Sequence, residues 1–322
     1  MILEETNYCE QMQQVVEPYL EARKKVLWVQ REPGNNIYCE RYLADEPKGI
    51  VMISHGFTES AEKYKEVIYY FVKMHYHVYL PEYCGHGRSY RLVEVSSLVH
   101  IDDYQRYLDD FFEVVKKAKE EYPDLPMFLY GHSMGGGLGA AQAAQHPEFF
   151  KKVILSSPMI RPQTGNIPWA VAKDLSFGAC KKGNGTDSVA GQQPYQGREK
   201  YENGSSASRV RFEYYQDKKE KEVLFQTNHP SYSWLYQAVR LNHYLQHQAW
   251  KTIQAPVLIF QAEQEHLVSN AEQIRFIEKL VRHQPGLGKL IMVPETKHEI
   301  YGSDSRILKG YWKRIFTFLE EK

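Results

Sequence analysis

The sequence is poor in cysteine, which argues against a structural zinc site and against a fold held together by disulfides. Its 322 residues contain four cysteines, Cys9, Cys39, Cys84 and Cys180, and none of them has the C-x-x-C spacing of a structural zinc site. So few cysteines fit a reducing compartment. A chain of this length can also bury a core large enough to fold without disulfides.

The sequence also lacks an excess of charge and a long hydrophobic run. Lys plus Arg number 40, against 40 Asp plus Glu, so we expect no nucleic-acid partner, which would need a basic surface. No stretch of about 18 apolar residues could span a membrane. The polar start, MILEETNYCEQMQQ, lacks the apolar core of a signal peptide. We therefore expect a cytoplasmic protein, and leave open its oligomeric state and any transient contact with a membrane surface.

Short apolar runs alternate with longer amphipathic segments, which is typical of βαβ units in a mostly parallel sheet. The predicted strands are 50–53, 77–80, 126–130, 152–156, 256–261 and 289–293, and the predicted helices are 62–74, 101–121, 133–145, 231–247, 270–282 and 306–320. Between Pro158 and Ile253 the alternation stops, and the polar, glycine-rich stretch 178–208 is typical of a mobile loop. Since only two strands follow, we interpret 158–253 as a cap inserted into one domain of residues 1–322.

The strongest chemical signal is Gly131-His132-Ser133-Met134-Gly135, a G-x-S-x-G motif between an apolar strand and a small-residue helix. So tight a turn forces Ser133 into a strained backbone conformation and exposes its side chain. The helix start also gathers N–H groups near Ser133, where they stabilise developing negative charge. The motif in this context predicts a nucleophilic serine, whereas G-x-S-x-G alone would equally fit a glycine-rich turn with an incidental serine.

A serine hydroxyl needs a base to take its proton. In a fold where the nucleophilic serine lies on such a strand–turn–helix motif, called the nucleophile elbow, the acid and then the histidine follow the serine along the chain. His298 lies on the loop after the last predicted strand and is the candidate base. Two carboxylates on the loop after the preceding strand, Glu263 and Glu265, compete for the acid. We favour Glu265, because the apolar pair 267–268 would anchor its part of the loop, and a glutamate can orient an imidazole.

The oxyanion formed in acyl transfer needs two N–H donors. We expect one from Met134, which follows the nucleophile, and the other from Phe57, in the turn His55-Gly56-Phe57 after an earlier strand. His55 and His86 could be mistaken for catalytic bases. We assign both of them structural roles, and expect His55 to brace its own loop.

Together, these motifs resemble the monoacylglycerol lipase and lysophospholipase branch of the α/β-hydrolases, often described as serine aminopeptidase-like, and bacterial lysophospholipases in particular. The matching motifs are H-G-F at His55, G-H-G-R-S at Gly85, G-H-S-M-G-G at Gly131 and H-E-I at His298. The resemblance covers 49–318, is weakest within 164–211, and includes the cap-like segment 228–235. It implies an α/β-hydrolase fold with a cap, or lid, and hydrolysis of an ester of a single-chain lipid. We expect no cofactor and no metal.

Two positions depart from the pattern of that family. The family usually has aspartate where Glu265 stands, which weakens the assignment of the acid. It also has Asp-x-Arg before G-H-G, where this chain reads Glu82-Tyr83-Cys84. The second change affects a structural loop and leaves the three catalytic residue types in place.

Two alternative functions stay open. A peptidase of the prolyl aminopeptidase kind would need acidic residues on the cap to hold a substrate amine. The cap offers Glu199, Glu202, Glu213 and Asp217, although such a polar stretch is also typical of solvated charge. A non-enzymatic, hydrolase-like binding protein would have lost a catalytic residue, and all the required residue types are present.

The interrupted segment 158–253 leaves the predicted sheet at the edge where the elbow opens. Open α/β sheets bind ligands at the carboxyl ends of their strands. We therefore predict that this segment covers Ser133 and makes an apolar site for an acyl chain, with Trp234 and Leu235 as candidate substrate-binding residues. Alternatively, these side chains form only a small core within the cap.

Overall fold

At the centre of the computed structural model, which describes residues 2–321, is an eight-stranded sheet. Across the sheet the strands are β1 (Lys24–Glu32), β2 (Asn35–Tyr42), β4 (Tyr76–Pro81), β3 (Gly49–Ser54), β6 (Met127–His132), β7 (Phe150–Ser156), β9 (Val257–Gln264) and β10 (Gly288–Lys297). The pairs β1–β2 and β2–β4 are antiparallel, and every pairing from β4 to β10 is parallel. Two short strands, β5 (Leu98–Val99) and β8 (His229–Pro230), form a separate parallel pair.

Helices cover both faces of this sheet. In chain order they are α1 (Tyr8–Gln11), α2 (Glu17–Glu21), α3 (Lys65–Lys73), α4 (Tyr104–Glu121), α5 (Met134–Gln145), α6 (Trp169–Lys181), α7 (Arg209–Lys221), α8 (Tyr232–His247), α9 (Asn270–His283) and α10 (Ser305–Glu320). One core contains buried side chains of α4, α5, α8 and α9, and the other contains those of α3, α10 and the N-terminal helices. Across residues 2–321, no helix is both long and apolar enough to cross a membrane.

The central strands are buried on both faces, which explains why they read as continuous apolar runs. Every residue of β3, β4 and β6 is buried, as parallel strands covered by helices on both sides require. Helix boundaries follow local chemistry. For example, the Asp103 side chain accepts the N–H of Gln105 and starts α4 three residues later than the sequence predicted. The predicted α/β architecture, a mostly parallel sheet flanked by helices, is confirmed.

Among the elements that the sequence did not predict are the β1–β2 hairpin and the helices α6 and α7. Helix α7 has no clear apolar stripe, because its buried residues include the polar Arg211, Gln216 and Lys219. These side chains find partners far away in the sequence. Arg211 binds the Glu66 carboxylate at 3.0 Å and the carbonyl of Leu3 at 2.8 Å. The N-terminal segment 2–21 is thereby fastened to the segment 158–253.

Candidate active site

Ser133 stands at the turn between β6 and α5 with the backbone angles φ 53° and ψ −121°. Such a conformation is rare for a residue with a side chain and persists only where the surroundings enforce it. Here the enforcement is close packing around two glycines. A Cβ atom at Gly131 would lie 2.6 Å from the carbonyl oxygen of Gly135, and one at Gly135 would lie 2.1 Å from that of Ser54. The side chain of Ser133 faces a cavity.

His298 and Glu265 form a buried hydrogen-bonded pair at the same cavity. The Nδ1 of His298 lies 2.7 Å from Oε2 of Glu265, and the two side chains are 5% and 1% exposed. The other oxygen of Glu265 accepts the N–H groups of Leu267 and Val268 at 2.8 and 3.2 Å. Burial would raise the pKa of Glu265, but the bond from His298 and these N–H groups lower it overall. An ionised Glu265 therefore holds the proton on Nδ1, leaving Nε2 of His298 to act as a base.

His298 and Ser133 line one cavity, although no hydrogen bond joins them within residues 2–321. A contact between nucleophile and base is often long in the free enzyme and shortens when substrate binds. Glu263 lies elsewhere: it is exposed, and its carboxylate accepts the N–H of Glu295 at 2.9 Å. Of the two competing acids, the structure brings only Glu265 to His298.

The two candidate oxyanion donors belong to neighbouring turns that pack on each other. Met134 is the first residue of α5, where an N–H has no partner within the helix. Phe57 lies in the turn after β3, and its N–H has no acceptor among residues 2–321. The Ser54 hydroxyl donates to the Gly135 carbonyl at 2.7 Å and so joins the two turns.

His55 braces its turn, which is the role we expected of it. Its Nδ1–H donates to the Gly56 carbonyl at 2.8 Å, and its Nε2 accepts the N–H of Tyr83 at 2.9 Å. Burial lowers the pKa of His55 to about 4, so the ring is neutral. His86 packs edge-on against His55, with 5.2 Å between ring centroids, and binds the Cys84 carbonyl through Nδ1. Neither ring is placed to act as a base at Ser133.

The cavity in front of Ser133 has a volume of about 460 Å³ and walls of mixed polarity. Its apolar lining residues include Phe57, Met159, Leu267, Val268 and Trp234. Its charged lining residues include Glu59, Glu62, Lys63, Glu199, Lys219 and Glu299. Both the sheet loops and the segment 158–253 contribute to these walls, as do Tyr8 and Met12 of the N-terminal segment. The apolar residues thus form one part of the cavity wall, and the apolar site for an acyl chain stays a prediction.

The two candidate substrate-binding residues of α8 have different surroundings. Trp234 lines the cavity, and its ring lies against that of Phe57 with 4.3 Å between centroids. Leu235 is 8% exposed and belongs to the main hydrophobic core, away from the cavity wall. Consecutive helix residues point about 100° apart, and on α8 Trp234 lines the cavity whereas Leu235 does not. The structure therefore does not bring Leu235 to the site.

A polar cluster that the sequence did not predict lies beside His298. His132 packs against the imidazole of His298 with 4.8 Å between ring centroids, and its Nδ1 donates to the Ser156 carbonyl at 3.1 Å. Burial lowers the pKa of His132 to about 3. Glu59 and Lys63 complete the cluster with a 3.1 Å ion pair. Their spacing of four residues was the only local signal, and it is common on helix surfaces.

The chain is similar to several known proteins. The family model described as serine aminopeptidase, S33, matches residues 45–305. The chain is 35% identical to a monoacylglycerol lipase of Mycolicibacterium smegmatis over 138 residues, which cover 43% of this chain and 48% of that lipase. It is 24% identical to a probable lysophospholipase L2 of Haemophilus influenzae over 275 residues, covering 84% and 83% of the two chains. The chain spans about half the length of the monoacylglycerol lipase that it matches.

Solved structures with a similar fold include esterases and lipases. A carboxyl esterase from Bacillus coagulans superposes with a TM-score of 0.76 at 21% identity, over 92% of this chain and 98% of that one. A monoglyceride lipase from Saccharomyces cerevisiae superposes with a TM-score of 0.73 at 15% identity, over 92% and 95%. Likeness at such low identity shows the fold alone. The family match covers most of the chain, and with it the α/β-hydrolase resemblance is confirmed: this protein belongs to the serine aminopeptidase S33 family of α/β-hydrolases.

Proposed function

We propose that this protein is a serine hydrolase that cleaves the ester bond of single-chain lipids, monoacylglycerols or lysophospholipids, through an acyl-enzyme intermediate. The observation that carries the proposal is the meeting of Ser133 with the 2.7 Å His298–Glu265 pair at one cavity. The names of the relatives, monoacylglycerol lipase and lysophospholipase, support the choice of substrate class.

In the proposed reaction the hydroxyl oxygen of Ser133 attacks the ester carbonyl while Nε2 of His298 takes the hydroxyl proton. Glu265 stabilises the imidazolium that forms. The N–H groups of Phe57 and Met134 stabilise the tetrahedral oxyanion. When the oxyanion collapses, the alcohol leaves with the proton from His298. A water molecule then attacks the acyl-enzyme in the same way and releases the fatty acid.

We further propose that residues 158–253 form a cap over Ser133 and that its apolar side holds the acyl chain. Met159 and Trp234 of this segment line the cavity together with Phe57 of the turn after β3. An acyl chain along such walls gains about 0.8 kcal/mol for each buried CH₂ group. Leu235 would contribute only by supporting Trp234 from the core.

Transient contact with a membrane surface fits one face of this cap. Ile167, Val171 and Leu175 follow each other at intervals of four residues, and each is more than 40% exposed. Val171 and Leu175 lie on one side of α6, and Ile167 lies just before this helix begins at Trp169. The neighbouring Phe177 is also about half exposed. A face of this kind would bring the cavity entrance to a lipid surface that supplies single-chain lipids.

A peptidase that binds a substrate amine would need unpaired carboxylates on the cap. The structure instead gives each of the four candidate acids a basic partner. Glu199 pairs with Lys219, Glu202 with Arg209, and both Glu213 and Asp217 with Arg198. These pairs support the esterase proposal over the aminopeptidase alternative.

A substrate panel tests the proposal. Purified protein would be assayed against monoacylglycerols, lysophosphatidylcholine, p-nitrophenyl esters and aminoacyl-naphthylamides, with Ser133→Ala as the matched control. We expect hydrolysis of the lipid esters, no release of naphthylamine, and loss of activity in the variant. Cleavage of the naphthylamides alone would overturn the assignment in favour of a peptidase.

A further inference from the structure

Glu59 is a buried carboxylate between the two loops that hold the candidate catalytic groups. Its side chain is 4% exposed. One oxygen accepts the N–H of Gly56 at 2.6 Å and the hydroxyl of Tyr64 at 2.6 Å. The other accepts the hydroxyl of Tyr301 at 2.8 Å and lies 3.1 Å from Nζ of Lys63. Burial opposes ionisation, but these partners hold the pKa of Glu59 well below its usual range.

The backbone that Glu59 holds contains the candidate oxyanion donor. The Glu59 carboxylate accepts a hydrogen bond from the N–H of Gly56, and His55 donates one to the Gly56 carbonyl at 2.8 Å. The Thr58 hydroxyl donates to the Phe57 carbonyl at 2.7 Å. The Gly56 carbonyl and the Phe57 N–H belong to the same planar trans peptide group. The His55 bond therefore fixes the direction of the Phe57 N–H, and Glu59 anchors the peptide group immediately before it.

The approach of the carboxylate to this backbone is close enough to require a glycine. A Cβ atom at Gly56 would lie 2.6 Å from the Glu59 carboxylate and 3.2 Å from the ring of His132. The missing side chain lets Glu59 and the imidazole of His132 pack against the turn from one side. The turn is thus pressed against the elbow that carries Ser133.

The same carboxylate reaches the loop of the catalytic base. Tyr301, which binds Glu59, lies in the helical turn Ile300–Gly302 immediately after His298. Lys63 bridges Glu59 to Glu299 through a second ion pair of 2.6 Å. The positive charge of Lys63 beside Glu59 reduces the repulsion between this carboxylate and the nearby oxyanion.

We propose that Glu59 is a positioning residue for acyl transfer: by anchoring the turn it helps to aim the N–H of Phe57 at the oxyanion, and it ties that donor to the loop of His298. The inference rests on the proposed hydrolase function. Loss of a whole oxyanion donor costs about 10²–10³-fold in kcat, and a misdirected donor loses part of that. We expect kcat to fall about tenfold in Glu59→Gln, which keeps one acceptor oxygen, and about 100-fold in Glu59→Ala.

The test combines kinetics with a reversible inhibitor, an alkyl trifluoromethyl ketone. The serine hydroxyl oxygen adds to the ketone carbon, its proton passes to His298, and the former carbonyl oxygen becomes an oxyanion. If Glu59 aims the donor, the inhibition constant should rise across wild type, Glu59→Gln and Glu59→Ala in proportion to the fall in kcat/KM. The KM for a p-nitrophenyl ester should stay within about threefold of wild type, as expected when only transition-state binding is lost.

Glu40→Gln is the matched control for loss of a buried carboxylate. Glu40 is 1% exposed and accepts hydrogen bonds from the hydroxyls of Tyr38 and Tyr42 and from Lys65. It lies on β2 and does not line the cavity. We expect this change to lower the melting temperature and leave kcat, KM and the inhibition constant unchanged.

Each outcome of the comparison decides the proposal. If the Glu59 variants lose only stability, as Glu40→Gln does, and retain the wild-type inhibition constant, Glu59 is merely structural and the proposal is wrong. Should Glu59→Ala fail to fold, Glu59→Gln decides alone. If the wild type cleaves no ester and a fluorophosphonate does not label Ser133, the hydrolase function itself fails. If the wild type is active and the Glu59 variants keep its kcat/KM and inhibition constant, only the positioning role is disproved.

Discussion

The sheet with its loops and the segment 158–253 meet at one cavity, but different forces hold them in place. All of β3, β4 and β6 is buried, as is nearly all of α5, which is built from small and apolar residues. Helix α7 of the segment instead buries Arg211 and Lys219, which are held by ion pairs. Close packing resists small displacements, whereas a buried ion pair is favourable only while both partners are in place, because separating them leaves an uncompensated buried charge.

This difference separates two tasks at the site. Ser133, His298, Glu265 and the two candidate N–H donors all come from the sheet and its loops, where a small shift would misalign the reacting groups. The segment 158–253 supplies cavity wall, including Trp234. Changes in the first region should therefore affect the rate of the chemical step, and changes in the second should affect which substrate is preferred.

The largest expected effect is that of Ser133→Ala. Removing the nucleophile should lower kcat by about 10⁴-fold or more. It should also abolish covalent labelling by a fluorophosphonate, followed by intact-protein mass spectrometry, while circular dichroism and melting temperature report on the fold. A variant that is still labelled would contradict the assignment of the nucleophile.

Next in size is the contrast between the two acids. Glu265→Gln removes the anion that stabilises the His298 cation, so kcat should fall about 10²–10⁴-fold. Glu263→Gln changes an exposed side chain bound to the N–H of Glu295, and kcat should stay within about twofold of wild type. Steady-state assays on one ester compare them directly. A greater loss in the Glu263 variant would move the acid to that residue.

A smaller effect is expected in the segment 158–253, where Trp234→Ala and Leu235→Ala form a matched pair on α8. Since Trp234 lines the cavity, its loss should flatten the rise of kcat/KM with acyl-chain length by about tenfold, which corresponds to about two CH₂ contacts. Leu235→Ala should lower stability by about 2–5 kcal/mol and leave that profile unchanged.

The control for Trp234 is a short acetyl ester. The Trp234 ring also lies against Phe57, so a disturbed oxyanion turn would slow short and long esters equally. An equal loss on both would show that Trp234 acts through Phe57 and does not bind the acyl chain.

The smallest expected effect concerns stability in the segment. Arg198 is 35% exposed and pairs with Glu213, Asp217 and Glu220. Exposed ion pairs contribute little, so Arg198→Ala should change the free energy of unfolding by no more than about 1 kcal/mol. Leu129→Ala, at a fully buried position of β6, should cost about 2–5 kcal/mol. Urea denaturation measures both, and equal losses would contradict the contrast between the regions.

The parts of the site that could be predicted from the sequence are those specified by neighbouring residues. The strand, the tight turn and the small-residue helix around Ser133 fall within about 20 residues. His298 followed from chain order, once the strands had been assigned. The boundaries of α5, α8 and α10 came within about one residue of the structure.

What the sequence did not reveal depends on polar pairs between distant residues. Tyr301 and Glu59 are 242 positions apart, and Arg211 and Glu66 are 145 apart. Hydrophobic periodicity contains no information about such pairs, so α7 and the hydrogen bonds of Glu59 were missed. The different directions of Trp234 and Leu235 also required the packing of α8 to be known.

The N-terminal segment offers a way for members of this family to change the shape of the substrate cavity. Tyr8 and Met12 line the cavity, and the carbonyl of Leu3 binds Arg211 of α7, yet the family match begins only at residue 45. Mutations in the first 20 residues could therefore reshape the substrate cavity while every shared motif stayed intact. Two paralogues with identical motifs could thus prefer different substrates because of an N-terminal segment that an alignment of those motifs leaves out.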